Sequence, residues 1–152
     1  MMVVVDRKFS LTRNQKLVLG TIEASPIPLS AYAILKVLEG SGIRHPLPVY
    51  RALEKLIALR LVYRLHTIAA FVAAAAFPNP LTAEDQIVFT ICDACGQVNA
   101  LMDKALGAQL SSVARDAGFA VSQPYLELHG RCSDCSEPMD SPSTPALPDY
   151  AI

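Results

Sequence analysis

Two identical cysteine pairs, Cys92-Asp-Ala-Cys95 and Cys132-Ser-Asp-Cys135, account for all four cysteines of the chain. Two residues between thiolates let one tight turn aim both sulfurs at a single ion. Two such turns complete the tetrahedral shell of four sulfurs that zinc accepts. The stretch between the pairs, residues 96–131, is longer than in a zinc ribbon, which predicts a small α/β unit whose ends a metal staples together. Two redox-active motifs or two disulfides are the alternatives. Nothing in the sequence points to an oxidising compartment, however, and a thioredoxin-like site needs only one pair. A shell closed by four sulfurs leaves no position for water, so one structural zinc per chain is expected, holding the fold and not catalysing. A zinc hydrolase or deaminase needs an open position beside an H-x-E or H-E-x-x-H pairing, and the chain contains neither. No enzyme is expected.

Charge divides the 152 residues into two unlike halves although the net charge is only −1. Residues 1–77 carry ten Lys and Arg against four acids, whereas residues 78–152 carry three against ten. A basic half joined to an acidic one suggests that the first meets a polyanion while the second does something else. At 52% hydrophobic residues the chain can build real cores. No apolar run reaches membrane-spanning length, and the first residues lack the order of a signal peptide, so a cytoplasmic location without membrane contact is expected.

The elements of the basic half follow from local signals. Thr12 with Gln15 three residues on fits a capping box, opening a helix whose buried stripe is Val18, Leu19 and Ile22. Pro26-Ile-Pro28 breaks the chain. Ser30 can cap a second helix over about residues 31–39, buried through Tyr32, Ile34, Leu35 and Leu38 and ended by Gly40-Ser-Gly42. A third helix has Pro48 in its first turn and Val49, Ala52, Leu53, Leu56 and Ile57 on one apolar face. Tyr50, Arg51, Glu54 and Lys55 fall on the other side. An exposed Tyr-Arg pair early in a helix suits the major groove, and an ordinary solvated face is the equal alternative on periodicity alone. The strand-like runs Leu61–Leu65 and Ala70–Ala73, joined by His66-Thr-Ile-Ala69, complete three helices and a hairpin. That order is a winged helix-turn-helix. It would set Arg64 and His66 on the wing near a phosphate backbone, and Lys55 near another.

The predicted organisation is α+β: a winged-helix domain over residues 1–76, a Pro-rich hinge over 77–86, a zinc-stapled domain over 87–136 and a Pro-rich disordered tail over 137–152. In the acidic half, Ile87–Ile91 reads as a strand entering the first cysteine turn, where Gly96 permits the bend, and Gln97–Leu101 as its return. A helix over about 103–117 would turn Leu106, Leu110 and Val113 inward and stop at Gly118. Residues 119–121 and 125–129 supply extended chain leading to the second turn. So small a unit has a marginal core, which makes a metal staple and a dimer partner physically reasonable.

The strings Leu11-Thr12, Leu29-Ser-Ala-Tyr32, Val49-Tyr-Arg-Ala-Leu53, Cys92-Asp-Ala-Cys-Gly-Gln-Val98, Gly118-Phe119 and Leu126-Glu-Leu-His-Gly-Arg-Cys132 resemble the ferric-uptake-regulator family in order and spacing, over about residues 11–135. Pro46–Leu56 and Ala70–Ala73 look most like its zinc-uptake-regulator branch. The resemblance implies a homodimeric, metal-responsive repressor that binds a palindromic duplex operator. Its winged helices would sit on DNA and its C-terminal halves would dimerise around a four-sulfur zinc. It puts Tyr50 and Arg51 at DNA-reading positions and Cys92, Cys95, Cys132 and Cys135 at the structural zinc. Pro48 stands where the family has Thr, and Gln15 where it often has Arg.

Sensing is where the chain departs from the resemblance. The branch holds a second, regulatory zinc at the hinge, and the four positions that supply it correspond here to Tyr63, Ala74, Asp85 and Ala100. Of these only Asp85 is a zinc ligand, and one carboxylate cannot hold the ion at sensing affinity. The staple is kept and the switch is lacking. A rebuilt site from His66, Asp85 and His129, with Glu84, Asp103 or Glu127 nearby, would be oxygen-rich and suit a harder ion such as Mn2+. The ordinary reading of these residues is a wing histidine near phosphate and a strand histidine beside the second cysteine turn. A zinc-stapled protein-interaction module is the remaining alternative, separable by salt-dependent binding to duplex DNA.

Overall fold

A computed structural model describes residues 10–77, 86–121 and 126–136. The hinge residues 78–85, with Glu84 and Asp85, and the tail from residue 137 lie outside the described residues.

Helix α1 (Arg13–Glu23) begins with a reciprocal capping box. The Gln15 amide donates to Thr12 Oγ1 at 3.4 Å, and the Thr12 amide donates to Gln15 Oε1 at 2.9 Å. Helix α2 (Ala31–Leu38) is capped by Ser30, whose Oγ accepts from the Ala33 amide at 3.1 Å. It runs into a single 3-10 turn at Glu39–Ser41, which closes on Gly42 at φ 92°, a left-handed conformation that glycine adopts without strain. Helix α3 (Pro46–Ala58) starts with Pro46 in its first position, one residue pair before Pro48. Val18, Ile22, Ile34, Leu38, Val49, Leu53 and Leu56 of the three helices interlock as one buried core. Each such side chain contributes about 1.5–3 kcal/mol on leaving water.

Strands β1 (Val62–Leu65) and β2 (Ala70–Ala73) pair antiparallel, Val62 opposite Ala73 and Leu65 opposite Ala70, around the turn His66–Ala69. Leu29 bridges Phe71 on the open edge of β2, so the wing is tied back to the start of α2. Three helices and this hairpin form the expected winged helix.

The second sheet has the order β4-β3-β5. Strands β3 (Gln86–Cys92) and β4 (Val98–Asp103) form an antiparallel hairpin, and β5 (Leu126–Gly130) lies parallel to β3 on its other side. Helix α4 (Lys104–Asp116), capped by Asp103, makes the crossover. It comes close to β3 at Gly107, where an added Cβ would stand 3.1 Å from the Cβ of Gln86. Gly118 ends the turn after it at φ 72°.

Two expected burials are corrected. Tyr32, read as part of the α2 stripe, is 67% exposed, and Val113, read as inward on α4, is 68% exposed. Tyr32 sits two residues before the buried Ile34, on the other side of the helix, with Lys36 Nζ 5.4 Å above its ring. The half-buried stripe of helix α4 is Leu106, Gly107, Leu110 and Ala114, so Val113 falls at the edge of that face and stays exposed.

Candidate functional site: a four-cysteine centre and a winged-helix face

The four cysteines converge. Both turns are shaped by backbone hydrogen bonds: Gly96 N–H to Cys92 O at 2.8 Å in the first, and Cys135 N–H to Cys132 O at 3.0 Å in the second. Gly96 takes φ 74° to close the first turn. Adjacent strands bring the turns together, because β3 ends at Cys92 opposite Gly130 of β5, and the Asp93 amide then donates to Gly130 O at 2.8 Å. The four Sγ atoms consequently lie within 4.8 Å of one another, with Cys95 and Cys132 3.7 Å apart. A zinc–sulfur bond of about 2.3 Å requires tetrahedron edges of roughly 3.8 Å, so the cage fits that ion. One convergent group of four, rather than two separate pairs, is what a metal staple requires and what redox motifs or disulfides do not.

The sulfurs do not ionise alike. Hydrogen bonds from the amides of Cys132 and then Cys95 lower Cys92 to about 6. Cys135 is pushed up to about 12, chiefly by the sulfurs of Cys132 and Cys95 and then by burial. The amide of Gln97 favours ionised Cys95, but the Cys92 sulfur and burial outweigh it and raise that thiol. Zinc binding requires the remaining thiols to give up their protons, which the charge of the ion itself drives.

On the winged helix, Tyr50, Arg51, Glu54 and Lys55 are exposed on α3 and Arg64 is exposed on β1. Leu47 shares the face of Tyr50 and Arg51 and is 57% exposed, a residue the sequence reading passed over although it stands three positions before Tyr50. His45, considered there as a loop residue, is the N-cap of α3 without a side-chain capping bond.

A junction joins the two units. Leu65, Val72 and Phe77 from the wing side pack with Phe89 and Ile91 of β3, and Tyr63 and Ala100 pack against this cluster. Beside it, the amides of His66 and Thr67 donate to the Glu127 carboxylate at 2.6 and 3.0 Å, and Thr67 Oγ1 bonds to it as well. Thr67 Oγ1 also lies 2.7 Å from His129 Nε2, and His129 Nδ1 lies 2.8 Å from Asp93 Oδ1. His129 therefore meets the wing turn that contains His66. Among the described residues, however, the four cysteines are the one group of three or more ligand residues close enough to hold an ion. Thr67 and Asp93 were not legible as partners because no local pattern marks contacts 60 and 36 residues away.

No protein-family model matches the chain. The crystal structure of holo XcZur is 34% identical in sequence and superposes with a TM-score of 0.73, covering 85% of this chain and 88% of that one. The chain belongs to the ferric-uptake-regulator family, in its zinc-uptake-regulator branch. A zinc uptake regulator complexed with zinc and DNA is 28% identical and has the same TM-score of 0.73, covering 85% of each chain. The zinc uptake regulation protein of Escherichia coli (strain K12) is 28% identical over 136 residues, 89% of this chain and 78% of that protein. The iron-bound ferric uptake regulator of Francisella tularensis, at 16% identity and a TM-score of 0.54, shares the fold. These relatives in the zinc-uptake-regulator branch are transcription regulators and not enzymes. Among the described residues no helix is long and apolar enough to cross a membrane.

Proposed function

We propose that the protein is a dimeric DNA-binding repressor of the zinc-uptake-regulator type, with one structural zinc per chain at Cys92, Cys95, Cys132 and Cys135. The observation that carries this reading is the joint presence of a four-sulfur cage and an exposed α3 face bearing Tyr50 and Arg51, in a chain that superposes on a regulator complexed with zinc and DNA. Tyr50 and Arg51 read bases of an inverted-repeat operator, while Lys55 and Arg64 hold phosphates. Exposed Leu101, Val113, Phe119 and Leu128 on the C-terminal unit support pairing with a second copy of the chain.

The regulatory zinc site is lost. Tyr63 and Ala100, at two of its four positions, are packed against an apolar cluster that offers a cation no ligand. Ala74 supplies none either. DNA binding is then independent of added zinc. A second reading, control by another metal through His66, Asp85 and His129, draws on His129 reaching Thr67, the residue that follows His66 in the wing turn.

The test is zinc content per chain together with operator binding at controlled free zinc. One zinc per chain and an affinity unchanged by further zinc is the expected result. A second bound zinc that tightens DNA binding would overturn the loss of the site, and a comparable response to Mn2+ would favour the second reading.

A further inference from the structure

The wing turn donates two backbone amides and one hydroxyl to a single carboxylate that belongs to the other unit. The Glu127 side chain, on β5, receives the amide of His66 at 2.6 Å, the amide of Thr67 at 3.0 Å and the Thr67 hydroxyl. The same hydroxyl group meets His129 Nε2 at 2.7 Å, and His129 in turn meets Asp93 at 2.8 Å, next to the first cysteine of the cage. Backbone N–H groups gathered on one acceptor form a small anion-binding nest, and filling it with a carboxylate fixes the turn's conformation as well as its position. The apolar cluster alone would leave the turn at the hairpin's end free to rock, since Leu65 and Val72 enter it from the strands and residues 66–69 are all exposed.

We infer that Glu127 is the positioning residue of the wing: it clasps the His66–Thr67 turn and so sets the wing's orientation relative to α3 for DNA. The Thr67–His129–Asp93 chain extends this clasp to the cysteine cage. The inference rests on the DNA-binding reading for its consequence, but not for the clasp itself. It reverses the effect expected from charge. Glu127 is an acid in a protein that binds a polyanion, so on electrostatics alone its removal strengthens DNA binding. As the clasp, its removal weakens it.

The experiment compares the full-length zinc-loaded chain with Glu127→Ala, Glu127→Gln and Thr67→Val. It uses amide hydrogen exchange at residues 66 and 67 and affinity for a duplex selected by the wild-type protein from random sequence. Glu127→Ala is expected to speed exchange at both amides and to weaken binding, each about tenfold, the scale of hydrogen bonds to a partly exposed charge. Glu127→Gln, which keeps an acceptor oxygen, recovers part of both effects, and Thr67→Val, which removes the hydroxyl shared by Glu127 and His129, gives a smaller change in the same direction as Glu127→Ala. Unchanged exchange, or DNA binding that is unchanged or tighter in Glu127→Ala, overturns the inference. If Glu127→Ala loses its zinc or its fold, the same criteria are read from Glu127→Gln and Thr67→Val. If the wild type selects no duplex, the DNA-binding reading has failed, while exchange still decides whether the clasp exists.

Discussion

The Tyr63 ring of the wing lies 5.6 Å from the Phe89 ring of β3, tilted by 52°, and the Phe77 ring lies 5.8 Å from Phe89, tilted by 47°. Tyr63 brings a polar atom into this apolar setting: its hydroxyl is buried and has no hydrogen-bond partner among the described residues. Burial raises its pKa, against a smaller lowering by Arg60. An unpaired buried hydroxyl costs about 1–3 kcal/mol. Tyr63→Phe is therefore expected to leave stability unchanged or raise it by about 1 kcal/mol, whereas Phe89→Ala removes a shared ring and costs about 3 kcal/mol. Urea melts of the two variants check this. A Tyr63→Phe protein clearly less stable than the wild type would mean that the hydroxyl has a partner.

The cysteine cage makes a prediction about metal removal. Chelation, or Cys135→Ser, should strip the zinc and unfold the C-terminal unit, because the cage joins the ends of β3 and β5 across a helix with no fully buried side chain. The winged helix, with its own core, should keep its helical signal. Circular dichroism during chelator titration reads both. A C-terminal unit that stays folded without metal would show that the sheet suffices.

Arg51→Ala should lower operator affinity by roughly ten- to a hundredfold, the weight of one bidentate base contact. It should leave zinc content and dimer mass intact, since Arg51 is on the exposed face of α3. Fluorescence anisotropy with the selected duplex measures the first, and native mass spectrometry the others. Unchanged affinity would remove α3 from the DNA interface.

The clasp has a pH signature. Burial pushes the Glu127 carboxyl up, but hydrogen bonds from the Thr67 hydroxyl and from the amides of Thr67 and His66, helped by the charge of His66, outweigh it and hold it below its ordinary 4.5. A depressed carboxyl contributes stability that is complete above 4.5 and is lost as pH falls through the lower, folded value. The clasp should thus be intact at pH 5 and release only on further acidification. Carboxyl carbon shifts of Glu127 should titrate below 4.5, and Thr67→Val should move that midpoint upward. A midpoint at or above 4.5 in the wild type would contradict the hydrogen bonding.

Much of the fold was legible because its signals are local. Thr12 and Gln15 are three residues apart and cap each other; Ser30 caps α2; the spacing of Val49, Ala52, Leu53 and Leu56 sets one face of α3 inward. Two C-x-x-C turns likewise specify a pair of sulfurs each from a few consecutive residues. The same local logic misjudged Tyr32 and Val113, since periodicity ranks the faces of a helix but does not say where the covered face ends.

What the sequence by itself determined, then, was each element, its caps and the chemical character of the cysteine turns, because these depend on neighbours within one or two turns of chain. The tertiary structure brought the four sulfurs into the one cage that their spacing led one to expect, and it alone decided that Tyr63 meets Phe89 and that Glu127 reaches the wing turn 60 residues before it. Such contacts arise when β5 pairs with β3 and the wing packs on that sheet. Pairing brings together side chains that no periodicity relates, and the free energy of burying them exists only once both elements are in place.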